Sequence, residues 1–106
     1  MDEILMFLQQ HIEVVQKIGD KIENGETYIG ELREYMPSLK QMITTIFELT
    51  QIPEISLSIN TEFVIQVLND IIYGMEQEDT VFLLDVLRYG LLEVYYFVAS
   101  ELQNGV

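Results

Sequence analysis

Residues 80–103, TVFLLDVLRYGLLEVYYFVASELQ, are apolar around most of a helical circumference, and this stretch limits what the chain can become. Asp79, just before it, suits an N-cap, because its carboxylate can accept from the orphan amides of the first turn. Leu84, Leu87, Leu91, Val94 and Val98 form one row at alternating spacings of three and four. Val81, Leu83, Val86, Phe97 and Leu102 fill the flanks. What remains is a narrow polar stripe of Asp85, Tyr89, Glu93, Tyr96, Ser100 and Gln103, with Arg88 beside it. A helix apolar nearly all round is a buried helix. The reading is therefore a central rod with other helices laid against it. A membrane span is disfavoured, because Asp85, Arg88 and Glu93 sit mid-stretch, each costing about 2.5–3.5 kcal/mol there.

Three further helices are expected. In the first, Ile4, Leu8, His11, Val15, Ile18 and Ile22 follow an unbroken heptad seam, flanked by Leu5, Phe7, Ile12 and Val14. Asp2 and Glu3 suit the positive end of its dipole, and Lys17 and Lys21 the negative end. Asn24-Gly25 offers a left-handed stop. The second begins near Glu26 and carries Ile29, Leu32, Met36, Leu39, Ile43 and Ile46. That seam crosses Pro37, which cannot donate to the Arg33 carbonyl, so the helix is kinked or split there. The seam keeps phase across the proline, which favours a kink. QIPEISLSI, residues 51–59, reads as a linker: either an edge strand over 52–59 or, preferred, an extended loop that tucks in Ile55, Leu57 and Ile59. The third helix starts at Asn60, an N-cap residue, with Val64, Val67, Leu68, Ile71, Ile72 and Met75 on its apolar face. Asn104-Gly105 ends the last helix. The expected fold is all-α: one domain over 1–106, an antiparallel four-helix bundle with the hydrophobic C-terminal helix at its centre.

Composition narrows function more than it assigns it. A net charge of -13, from 18 acidic and 5 basic residues, repels nucleic acid and anionic membrane surfaces. There is no Cys, which removes disulfides and thiolate metal sites and fits a reducing cytoplasm. One His, and no Glu-x-x-His, leaves no imidazole-rich or di-metal carboxylate site. No Gly-x-Ser-x-Gly elbow and no phosphate-binding glycine loop occurs. The start, MDEILMFLQQ, has no Lys or Arg before its apolar run, unlike a secretory signal. No cofactor is expected.

Some residues stand out against this background. His11 occupies a seam position, either hydrogen-bonded across the bundle or able to charge as pH falls. Asp85, Arg88, Tyr89, Glu93 and Tyr96 form a possible interaction surface, in which Asp85 and Arg88 can pair and Tyr35 and Tyr73 can join. Gly90 inside a helix suggests close approach of a neighbour.

The segment 69–93, NDIIYGMEQEDTVFLLDVLRYGLLE, resembles small uncharacterised all-helical proteins and domains of Gram-positive bacteria, which share the acidic turn and the "VFLLDVL-Y" helix start. The resemblance implies a helical fold and a bacterial, intracellular origin, and carries no activity. The function expected is that of a non-enzymatic cytoplasmic interaction protein. A homodimer is expected, because the last helix is more apolar than so small a bundle can cover. The alternative is a monomeric acidic chaperone or adaptor that holds an amphipathic helix of a client, as flagellar and secretion chaperones do by fold-level analogy.

Overall fold

The computed structural model describes residues 2–104, and all of its regular structure is helical. Helix α1 is Asp2–Glu23, α2 is Ile29–Leu49 and α3 is Thr61–Gln77. The fourth helix, α4 (80–104), is α-helical over Thr80–Val86, makes a π-helical turn over Leu87–Leu91, and is α-helical again over Leu92–Asn104. Among the described residues there is no strand, and no helix is long and apolar enough to cross a membrane. The expected stop at Gly105 lies outside the described residues.

Local chemistry sets most of the helix ends. Gly25 takes a positive φ of 72°, and the amides of Gly25 and Glu26 return to the carbonyls of Ile22 and Lys21. This is a Schellman stop, with the glycine at the left-handed position. The turn holds the chain out of helix for longer than expected, so α2 opens at Ile29 rather than near Glu26. Asn60 and Asp79 cap as their side chains suggest, accepting from the amides of Phe63 and Phe82 at 3.1 and 3.0 Å. The α3–α4 turn repeats the Schellman pattern, but with Glu78 at φ 51° where glycine would be easier.

Pro37 does not split α2, which is one helix through it. Arg33 and Pro37 both lie on the exposed face, so water can reach the carbonyl that the proline leaves without a donor. The linker forms no strand. Turns over 50–55 lead to Ser56 at φ 56°, and Leu57 is buried while Ile55 and Ile59 are half-buried.

The seams are where the core lies. Leu8, Val15 and Ile18 of α1, Leu32, Leu39 and Ile46 of α2, and Val64, Val67 and Ile71 of α3 are all buried. On the flanks, Ile12, Val86 and Leu102 are buried too, but other flank positions depart from expectation. Phe7 and Val14 of α1, and Val81 and Phe97 of α4, are exposed. Side-chain contacts run in opposite senses along neighbouring helices: His11 lies beside Tyr95 and Asp20 beside Arg88, while Gly74 lies against Leu83 and Val67 against Gly90.

The π turn explains how α4 keeps one buried face. At about 100° per residue, Leu83, Val86, Leu87 and Gly90 point roughly 90° away from Leu91, Leu92, Val94, Tyr95, Val98 and Leu102 in an uninterrupted α-helix. All ten are nevertheless buried. In the π turn the Leu92 amide bonds back to Leu87, five residues earlier, so one extra residue fits within the turn. The later residues thereby fall back by about one residue's rotation, and both sets meet the same core. Leu83, placed on a flank by the heptad reading, is fully buried, whereas Leu84 of the expected row is half-buried.

Candidate interaction surface

The polar stripe of α4 divides between two neighbours. Arg88 turns to α1, where it pairs with Glu23 and with Asp20 at 3.4 Å, rather than with Asp85. The hydrogen bond to Glu23 holds its pKa above the usual value. Tyr96 also faces α1, and its hydroxyl accepts from Gln16 Nε2 at 2.7 Å. Asp85, Tyr89 and Glu93 instead border α3. The five residues read as one surface are therefore two groups on opposite flanks of the helix.

Between α3 and α4 lie two hollows that meet at Phe63. One, of about 280 Å³, is lined by Ile59, Asn60, Phe63, Glu93, Val94 and Phe97, together with Ser58. The other, of about 220 Å³, is lined by Phe63, Val67, Asp70, Asp85, Val86, Tyr89 and Gly90. Phe63, Phe97 and Tyr89 are 47%, 42% and 72% exposed. The floor is apolar and buried, formed by Val67, Val86 and Val94. Gly90 lets Val67 close in: a Cβ there would stand 3.2 Å from Val67 Cγ2. At the turn-proximal end of the same pair, Tyr73 and Phe82 stack edge to face at 5.9 Å.

Asp85, Tyr89 and Glu93 are expected from the sequence, whereas Phe63, Asp70 and the exposure of Phe97 are not. Phe63 carried a signal, since it is a large aromatic standing one position off the apolar row of α3. Phe97 carried none, because its direction depends on the π turn.

The second polar feature is buried. His11 Nδ1 lies 2.6 Å from Tyr35 Oη, which lies 2.7 Å from Tyr95 Oη. Tyr95 is fully buried, and no buried side-chain polar atom among the described residues lacks a partner. One proton order also gives both hydroxyl hydrogens an acceptor: Tyr95 donates to Tyr35, and Tyr35 donates to a bare Nδ1 of neutral His11. The reverse order would leave the Tyr95 hydrogen without an acceptor. Burial lowers the His11 pKa, consistent with the neutral ring. Burial also pushes Tyr35 up to about 12, against the opposing pull of its bond to Tyr95, and raises Tyr95 further. Tyr35 thus belongs to the core and not to the α4 surface, while Tyr73 is exposed. Beside His11 a hollow of about 210 Å³ opens between α1 and α2, lined by Ile4, Phe7, Ser38, Gln41, Met42 and Thr45.

Among the described residues, no three His, Cys, Asp or Glu side chains are grouped so as to hold a metal ion. Residues 1–96 match the family model described as Domain of unknown function (DUF8042). The chain belongs to that family. The matched span takes in the buried tyrosine pair, His11 and all of the groove except Phe97. No curated protein and no solved structure matches the chain.

Proposed function

We propose that this chain is a non-enzymatic interaction protein whose docking surface is the groove between α3 and α4. The observation that carries this reading is the line of exposed aromatics, Phe63, Tyr89 and Phe97, over a buried apolar floor. Contiguous apolar surface of this kind is what partners cover. The buried polar groups support a structural role for themselves, because His11, Tyr35 and Tyr95 bond to one another and, of the three, only His11 borders a hollow. On this reading the architecture is an antiparallel four-helix bundle, with α4 as the central helix and α2 bent at Pro37. Its support is the reversed order of contacts between neighbouring helices and the burial of α4 against both α1 and α3. A bacterial cytoplasmic setting completes the proposal, resting on the cysteine-free acidic composition and the resemblance of residues 69–93.

Two assemblies would use such a groove. One is a homodimer, supported by the apolar side chains that α4 leaves in solvent, Val81 and Phe97. The other is a monomeric adaptor or chaperone that takes an amphipathic helix from a client. Light scattering across protein concentration reads the first, and fluorescence anisotropy with a panel of labelled helical peptides reads the second. Association is expected in one of the two, weakened by Phe63→Ser and by Phe97→Ser with helicity unchanged. Absence of association in both, or association indifferent to these substitutions, refutes the proposal.

A further inference from the structure

From the charges around the groove we infer its occupant: a cationic amphipathic helix of another protein, in preference to a second copy of this chain. The inference rests on reading the groove as a docking surface. Three ionisable carboxylates line its two hollows, Asp70, Asp85 and Glu93, and no Lys or Arg does. The cation nearest in sequence, Arg88, is turned away to α1 and held by Asp20 and Glu23. Asp70 accepts from Gln66 Nε2 at 2.8 Å, which positions a carboxylate at the groove without neutralising it.

Size and shape suit a helix. From Val86 to Phe97 the groove follows α4 for roughly 16 Å, about three helical turns. The hollows on either side of Phe63 offer seats for two large apolar side chains from one face of an incoming helix. Lys or Arg on the flanks of that helix would then reach the carboxylates. A second copy fits the same walls poorly. In a two-fold dimer the same patch meets itself, which would set acidic rim against acidic rim. The net charge of -13 adds long-range repulsion to that contact.

The test is anisotropy with a labelled Leu/Lys amphipathic helix of about 18 residues and a Leu/Glu counterpart with the same apolar face. The full chain should bind the Leu/Lys peptide and not the Leu/Glu one, with affinity falling as salt rises. The triple variant Asp70→Asn/Asp85→Asn/Glu93→Gln should weaken binding about tenfold or more, since it removes every charged contact at the groove. A control triple on exposed positions of α1 and α2, Glu13→Gln/Glu34→Gln/Glu48→Gln, changes net charge equally and should weaken it less than about threefold. Phe63→Ser, which leaves the charges intact, should also weaken binding. Circular dichroism melting confirms that each variant is folded. Equal loss in the two triple variants, or comparable binding of both peptides, overturns the inference. If the Leu/Lys peptide fails to bind while light scattering shows a dimer sensitive to Phe63→Ser, this inference fails and the docking reading stands. If neither appears, both fail.

Discussion

Tyr35 sits in the middle of a three-membered buried relay, and removing its hydroxyl should cost more than removing the one at the end. Tyr35→Phe breaks both hydrogen bonds. It strands the Tyr95 hydroxyl, which is fully buried, at about 1–3 kcal/mol for an unsatisfied group. It also removes the donor to His11 Nδ1, a second buried hydrogen bond worth about 0.5–1.5 kcal/mol. The total is about 2–4 kcal/mol, a large part of the roughly 5–15 kcal/mol that holds a domain folded. Tyr95→Phe breaks one bond and strands nothing, because the Tyr35 hydroxyl still donates to His11, so its cost is about 0.5–1.5 kcal/mol. The double variant removes the stranded hydroxyl and should be no less stable than Tyr35→Phe alone. Urea unfolding at pH 7.5 reads these differences. With slopes of about 1–3 kcal/mol/M, Tyr35→Phe should lower Cm by roughly 1–2 M. Equal costs for the two single variants, or a double variant whose cost is their sum, would show that the hydroxyls do not act as a directed chain.

Acid should weaken the fold through the same relay. The folded pKa of His11 is lowered by burial, so below the unfolded value of about 6.5 the unfolded chain binds a proton that the folded chain resists. Stability should be full above that pH and should decline as pH falls from 7 to 5.5, by at most about 1.4 kcal/mol per unit. His11→Leu should flatten this part of the profile, and an unchanged slope would remove His11 as its cause. Gly74→Ala should destabilise by about 1–3 kcal/mol, because the new Cβ would stand 2.8 Å from Leu83 Cγ and Cδ2 in the buried α3–α4 contact. Gly30→Ala, with nothing within 4 Å, should instead stabilise by a few tenths to about 1 kcal/mol; thermal melts of the pair should move in opposite directions. Glu78→Gly should raise stability by about 0.5–1 kcal/mol by relieving a left-handed backbone at the α3 stop, and a lowered Tm would count against that account.

Helix number, most helix boundaries and the principal core rows were legible in the residues alone. The reason is that they are local: a 3.6-residue period writes the buried face into the order of side chains, and Asn24-Gly25, Asn60 and Asp79 stop or cap a helix through atoms only a few residues away. Continuity across Pro37, the division of the Asp85–Tyr96 stripe between two neighbours, the exposure of Phe97 and the burial of Tyr35 were settled only by tertiary packing. Each depends on rotation or proximity between segments far apart in sequence. A π turn at Leu87–Leu91 re-aims everything after it by about one residue's rotation, and no short-range pattern announces where that turn must fall. His11 shows the same division in one residue. Its seam position made it part of an interface between helices, but its partners were Tyr35, 24 residues further along the chain, and beyond it Tyr95, another 60 residues on.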